Sequence, residues 1–298
     1  MISIILVPIR RNPASKKPFG LLVSIENLAQ EFALNIPWIG RHERRIEALV
    51  NLLEEADSAR SQHGPALVGR LLERFTFLST DAYEQHLLDM AKYIDETFDL
   101  NRTILCATTA DRQKDSAQRV LYDLVSTLAG IGRYKVRNLN RYDAAAREQD
   151  FDALLLVDEF IGSGQSFVGR VKNLRRIFDQ QRRSIPLIHG IALVGMMRGL
   201  RSISSEFESL NVCIALKKGI EDYATPDMQE MEYSVMSDLE AVLASHFEGE
   251  AMPSLGYAAS EALYSRHSGS CPNNVFPIFW WPQHLRLRDR RPLLPRAL

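Results

Sequence analysis

Asp152-Ala-Leu-Leu-Leu-Val-Asp158-Glu159-Phe160-Ile161-Gly162-Ser163-Gly164-Gln165-Ser166 is the stretch from which the rest of the chain can be read. Ala153 to Val157 is a continuous apolar run, the composition of a strand buried on both faces of a parallel sheet. Two adjacent acids, Asp158 and Glu159, end the run. A short Gly-Ser-Gly-Gln-Ser turn follows, and beyond it Phe167, Val171, Leu174 and Phe178 recur at helical spacing. A strand, a glycine-rich turn and a helix start aim free backbone N–H groups at an anion. Gly162 and Gly164 allow a tight turn and close approach of a ligand, Ser163 and Ser166 add hydroxyl donors, and the helix dipole favours negative charge. Gln165 completes the turn.

The turn lacks the Gly-Lys-Ser/Thr of a Walker loop, the spacing of a GxGxxG dinucleotide turn and the G-x-S-x-G frame of a nucleophile elbow at Ser163. Leu154 to Ser166 resembles the phosphoribosyl-diphosphate (PRPP) loop of type I phosphoribosyltransferases: an apolar run, two acids, two apolar residues, any residue, Ser/Thr, Gly, any residue, Ser/Thr. The resemblance implies that Asp158 and Glu159 receive the 2′ and 3′ hydroxyls of a ribose. It also implies that Gly162, Ser163, Gly164, Gln165 and Ser166 cradle its 5′-phosphate. Residue chemistry agrees, since ionised carboxylates accept from a diol and a donor-rich turn suits phosphate. The alternative is an ordinary strand–turn–helix with two surface acids.

Outward from this stretch the chain alternates. Thr103–Thr109, Tyr134–Leu139, Pro186–Val194 and Asn211–Leu216 read as further strands, with a helix of Ala117, Val120, Leu121, Leu124, Val125 and Leu128 after the first and another helix running to Leu210. This predicts an α/β fold with a doubly wound, mainly parallel five-stranded sheet, whose ligands bind at the carboxyl ends of the strands. Trp38 to Phe98 reads as helix without strand, on the faces Ile46/Leu49/Val50/Leu53, Leu67/Leu71/Phe75/Leu78 and Tyr83/Leu87/Met90/Ile94/Phe98. Met231 to Phe247 reads as a further helix. The expected division is a poorly ordered leader over 1–37, a helical region over 38–100, the α/β core over 101–222 and a C-terminal cap over 223–298.

With 298 residues and a net charge of −1, the chain can bury a large core, and nothing in it argues for a nucleic-acid or membrane ligand. Three scattered cysteines without a CxxC suit a reducing compartment and argue against a cysteine zinc site. The first residues, Met1-Ile-Ser-Ile-Ile-Leu-Val-Pro, are too short an apolar run for a signal peptide or a span, so a cytoplasmic location is expected.

Three more clusters suit a ligand with two phosphate ends. Asp111-Arg112-Gln-Lys114-Asp115-Ser116 follows the first core strand, where cations and a helix start can neutralise pyrophosphate; a plain capped helix is the alternative. Lys217-Lys-Gly-Ile-Glu-Asp222 follows the fifth strand, with a solvated turn as the simpler reading for either lysine. Pro272-Asn273-Asn274-Val-Phe-Pro-Ile-Phe-Trp280-Trp281 offers amides for a base edge and rings for stacking, or else core. The tail from Arg286 to Arg296 carries five Arg and one Asp and reads as a solvated end.

Together, Trp38-Ile-Gly-Arg…Glu43-Arg, Lys114-Asp-Ser, the Asp-Glu-Phe-Ile-Gly-Ser-Gly-Gln-Ser loop and Pro-Asn-Asn-x-x-Pro-Ile-x-Trp resemble the phosphoribosyltransferase-like family tied to bacterial conflict systems, PRTase-CE. The resemblance covers about Trp38 to Trp281. It implies a protein that binds PRPP or a related nucleotide with Mg²⁺ and either transfers a phosphoribosyl group or acts on a nucleotide glycosidic bond as a defence effector. Asp158, Glu159 and Lys114 would be catalytic; Arg112, Asp115 and Ser116 would hold pyrophosphate; Asn273, Asn274 and Trp280 are candidates for the base. No side chain is assigned as a direct metal ligand. The other implied role is a non-catalytic sensor of PRPP or a nucleotide that signals to a partner protein of a defence operon. Glu159, one methylene longer than Asp, departs from the two-Asp form of the loop.

Overall fold

The computed structural model describes residues 3–4, 24–59, 63–109, 116–286 and 288–297. Its elements begin with β1 (Ser3–Ile4), α1 (Ile25–Asn35), α2 (Pro37–Gly40), α3 (Glu43–Ser58), α4 (Gly64–Glu73), β2 (Thr76–Leu78) and α5 (Thr80–Thr97). They continue with β3 (Thr103–Ala107), α6 (Ser116–Gly130), β4 (Asn138–Leu139), β5 (Ala153–Ile161), α7 (Gln165–Gln180), β6 (Leu187–Met196), α8 (Met197–Ile203) and β7 (Ser209–Leu216). Last come α9 (Pro226–Glu240), β8 (His246–Phe247), β9 (Glu250–Ala251) and β10 (Tyr264–Arg266). The chain divides into two compact units: β1 with Thr80–Lys217, and the segment from α1 to Ser79 with Lys218 onward.

The first unit is built on a parallel sheet in the order β1-β7-β6-β5-β3-β4. All five strands expected from the sequence are present, and the fold is the doubly wound α/β class. Leu154 and Leu156 of β5, Ile104 and Cys106 of β3 and Ile188 of β6 share one buried face, where Phe167, Val171, Leu174 and Phe178 of α7 cover them. The four α7 positions are those marked by the helical spacing. Residues of the alternate parity, Leu105, Leu155 and Val157, are equally buried, and α6 packs on β3 and β5. Burial on both faces explains why β5 reads as an unbroken apolar run rather than an alternating one. Counting only the five expected strands, β3 lies between β4 and β5, so successive connections leave in opposite directions from β3 and β5. That is the switch point of an open α/β sheet, where a crevice forms at the strands' carboxyl ends.

Several local expectations are corrected. Ser3–Ile4, inside the expected leader, adds a sixth parallel strand beside β7, with Ser3 opposite Asn211. The leader also holds helix α1, capped by Ser24, whose Oγ accepts from the Asn27 amide at 3.3 Å. The second core strand is only Asn138–Leu139, and Tyr134 is 80% exposed. The helix after β6 ends at Ile203, because Ser209–Leu210 already pairs with His189–Gly190.

In the second unit α1 packs on α3, and the Phe32 ring lies against Gly69 of α4. The segment expected to be all helix contains strand β2. Leu67 and Leu71 lie on α4, but Phe75 and Leu78 do not continue it, because Thr76–Leu78 pairs in parallel with Tyr264–Arg266. Local periodicity cannot show a partner so far along the chain. The helix read over Met231–Phe247 is α9, which starts earlier at Pro226 and stops at Glu240, while His246–Phe247 pairs with Glu250–Ala251. Val275, Phe276, Ile278, Phe279, Trp280 and Trp281 form a buried run. The arginine-rich tail is only partly a solvated end: Arg286, Arg288 and Arg291 are exposed, but Arg290 is buried, meets Glu55 at 2.6 Å and donates to the carbonyls of Ile278 and Trp281.

Candidate active site

Strand β5 does not stop at the acids but runs on to Ile161. Asp158 sits opposite Ala192 in register and Phe160 opposite Val194, so the backbone at the acid pair is still in the sheet. Successive strand residues point to opposite faces. Leu154 and Leu156 share the α7 face, yet Ile161, of the other parity, joins the same core cluster. The strict alternation is therefore broken between Leu156 and Ile161, in the segment that carries both acids.

The Asp158 carboxylate is held on three sides. Oδ1 accepts from the amide of Glu159 at 2.7 Å and from that of Phe160 at 3.4 Å, and Oδ2 accepts from the hydroxyl of Thr108. Thr108 directly follows β3, is 1% exposed, and ties its own amide to the Val157 carbonyl at 3.1 Å. Glu159 is likewise buried, at 1% exposure. Two adjacent buried acids at a strand's carboxyl end are costly unless they are hydrogen-bonded, and sites that bind polar ligands are where such groups are found.

The turn after β5 is shaped by its glycines. Gly164 takes φ +81°, a left-handed conformation that favours glycine, and it caps α7 without any side-chain hydrogen bond. The Gln165 amide donates to the Ser163 hydroxyl at 3.4 Å. Gln165 and Ser166 are exposed, Gly162 and Ser163 half-buried, and Gly164 buried. Helix α8 backs the turn: a Cβ on Gly164 would strike Ile203, and one on Gly199 would strike the carbonyl of Gly162. Ser202 Oγ lies 3.4 Å from the Ser163 carbonyl. This support was not foreseen. A Gly in Met-Arg-Gly199-Leu gives no sign of which loop it faces, whereas Thr108, at the end of a strand bordering the switch point, could have been singled out.

The structure thus brings Asp158, Glu159, Gly162, Ser163, Gly164, Gln165 and Ser166 together at one edge of the sheet, with Thr108 beside them. Ser116 opens α6 in the same unit and is exposed. Arg112, Lys114 and Asp115 lie outside the described residues. The base candidates belong to the second unit. There Asn274 is buried, its side-chain amide donating to Ser260 Oγ at 3.1 Å and to the Tyr257 carbonyl at 3.3 Å. The Asn273 carbonyl accepts from the Tyr257 amide at 2.8 Å. Trp280 is 2% exposed, with its indole N–H on the Val275 carbonyl at 2.8 Å. The side chains of Asn274 and Trp280 are thus engaged as turn and core clamps, while Asn273 contributes its backbone carbonyl. Lys218 is not part of a solvated turn either. Its ammonium meets Glu261 at 3.1 Å and also Glu221, while Glu261 accepts from the amides of Ile220 and Glu221 at 2.8 and 3.0 Å.

Solved structures similar to this chain include a hypoxanthine-guanine-xanthine phosphoribosyltransferase, 14% identical, covering 46% of this chain and 75% of that one at a TM-score of 0.31. A Helicobacter pylori xanthine-guanine-hypoxanthine phosphoribosyltransferase is 10% identical, covering 52% and 95%, at 0.32. A hypothetical protein from Neisseria gonorrhoeae with bound ppGpp is 10% identical, covering 53% and 95%, at 0.33. No curated protein matches the chain. The PRTase-CE family matches residues 58–296, which takes in strands β3 to β7 of the sheet, the acid pair and its turn, and the chain belongs to that family.

Proposed function

We propose that the chain binds a phosphoribosyl ligand, PRPP or a related nucleotide, with Mg²⁺ at the carboxyl ends of β3 and β5, and transfers its phosphoribosyl group to an acceptor or acts on a nucleotide glycosidic bond. One observation carries the reading: the buried acid pair and the glycine-shaped turn that opens α7 meet at the switch point of the sheet. In this reading the amides of the turn and the hydroxyls of Ser163 and Ser166 hold the 5′-phosphate. Asp158 and Glu159 accept from the ribose hydroxyls and steady the ring as positive charge grows at C1′. Lys114, with Arg112, Asp115 and Ser116, faces the departing pyrophosphate by resemblance to the family's loop.

Two adjacent carboxylates are hard oxygen donors of the kind Mg²⁺ takes directly or through water, so Asp158 and Glu159 fit its neighbourhood, with ligand oxygens completing the shell. When bound, Mg²⁺ offsets the negative charge of the diphosphate.

A second reading is a sensor that binds the same ligand without turnover and signals to a partner protein of a defence operon. It is favoured by the second unit, which has a buried core of its own around Trp280 and Trp281 and is largely included in the family match. The compartment proposed for either role is the cytoplasm. Among the described residues no helix is long and apolar enough to cross a membrane.

Calorimetry with PRPP and Mg²⁺, followed by pyrophosphate release over a panel of bases and nucleotides, separates these outcomes. Binding with release supports the transferase, binding without release across the panel supports the sensor, and no binding overturns both.

A further inference from the structure

We infer that Thr108 is a positioning residue for ribose recognition: its hydroxyl sets the Asp158 carboxylate in the orientation that accepts a sugar hydroxyl. The inference rests on the phosphoribosyl reading of the site and adds to it a residue outside the loop motif.

The geometry is cross-strand. Ala107 of β3 stands opposite Val157 of β5, so Thr108 and Asp158 are the next facing pair. Parity does not place Asp158, because the alternation of β5 is broken between Leu156 and Ile161; the direct bond from the Thr108 hydroxyl to the Asp158 carboxylate does. Both are buried, at 1% and 9% exposure. Thr108 donates its hydroxyl to Asp158 Oδ2 while the amides of Glu159 and Phe160 hold Oδ1. A carboxylate on a two-torsion side chain can turn freely if only one oxygen is tethered. Donors on both oxygens fix its plane. The two amides are backbone and do not depend on residue identity, whereas the Thr108 hydroxyl does. Valine has the same shape without the donor and would leave Oδ2 facing a methyl group. Serine keeps the donor.

Positioning predicts an effect on discrimination between sugars rather than on phosphate binding. The experiment measures, by calorimetry with Mg²⁺, the affinity of the full chain for ribose 5-phosphate and for its 2,3-dideoxy analogue, in wild type, Thr108→Val and Thr108→Ser. The wild type should prefer the hydroxylated sugar by about tenfold or more, as expected for hydrogen bonds to a charged group. Thr108→Val should lose most of that preference while keeping its affinity for the dideoxy analogue, and Thr108→Ser should retain it. An undiminished preference in Thr108→Val overturns the inference and leaves the phosphoribosyl reading standing. A wild type that binds neither sugar, or both equally, overturns the ribose reading itself and the inference with it. If Thr108→Val does not fold, Thr108→Ala against Thr108→Ser gives the same comparison with the hydroxyl removed and no added bulk.

Discussion

Replacing Gly199 by alanine sets two effects of opposite sign against each other. Gly199 lies within helix α8, where alanine is intrinsically favoured over glycine by roughly 1 kcal/mol. The structure argues the other way, because the new Cβ would meet the carbonyl oxygen of Gly162, with the carbonyl carbons of Gly162 and Ser163 3.0 and 3.1 Å away. Those atoms are backbone, so no rotamer change relieves the contact, and either α8 or the turn must move. Overpacking of this kind costs about 1–3 kcal/mol, and an immovable neighbour places it at the upper end. The net expectation is a loss of about 2 kcal/mol after the propensity gain, or about 4–8 °C in melting temperature for a chain of this size. If the turn is what moves, it loses at least one hydrogen bond to a charged phosphate, about 1.5–3 kcal/mol, and affinity for PRPP falls about ten- to hundredfold. Gly169→Ala on α7 is the control, since a Cβ there meets nothing within 4 Å, and it should be neutral or stabilising. Scanning fluorimetry and calorimetry on the two variants read both effects. A Gly199→Ala protein that melts at or above wild type and binds PRPP equally well would refute the packing of α8 against the turn.

The acid pair is tested by Asp158→Asn and Glu159→Gln. Each should weaken PRPP binding about ten- to hundredfold, through loss of a charged acceptor worth about 1.5–3 kcal/mol. Asp158→Asn is also expected to lower the melting temperature clearly, since its carboxylate accepts from two amides and Thr108; unchanged affinity in both would remove the ribose assignment. Gly164→Val should abolish phosphate-ligand binding in a folded protein, because φ +81° and the neighbouring Ile203 both exclude a branched side chain; retained affinity by calorimetry would sink the cradle. A chain begun at Ile36 should lose several degrees of thermal stability, as it lacks β1 beside β7 and α1 with its Phe32 ring against Gly69; an unchanged melting curve would show that neither segment contributes. Burial holds both His86 and His189 below the ordinary histidine value of 6.5, although Asp89 and Glu208 partly oppose it. Below that value the unfolded chain binds protons that the folded chain does not, so stability should fall as pH drops from about 6.5. His189→Gln should flatten this slope, which denaturant melts between pH 7 and 5 would read.

What could be read from the sequence follows from the range of the interactions involved. The apolar run of β5, the glycine turn and the four-residue stripe of α7 are local patterns, and each is written into fewer than twenty consecutive residues. Strand β2 and strand β1 exist only because distant segments pair with them, and neither Thr76–Leu78 nor Ser3–Ile4 announces its partner. The site divides in the same way. The acid pair and the turn were legible because the resemblance is carried by particular residue types at fixed spacing. Of the groups that hold them, Thr108 could have been marked by its place at the end of a strand beside the switch point, whereas Gly199 behind the turn could not, because any small residue satisfies the local pattern. Glu261 shows the same limit in the second unit. It takes a left-handed φ of +51°, is 1% exposed, and gathers Lys218, two amides and the Tyr233 hydroxyl, yet in sequence it is one acid among alanines and other small or apolar residues. A buried carboxylate surrounded by donors can therefore be a structural pin in one unit and, in our reading, a ribose acceptor in the other. What separates Asp158 from Glu261 is its position: the first lies at the carboxyl edge of a parallel sheet, beside the start of α7, and the second is held by the 218–221 segment and by Tyr233 of α9. The functional reading accordingly rests on the meeting of acid pair, turn and switch point, since buried carboxylates alone occur in both units.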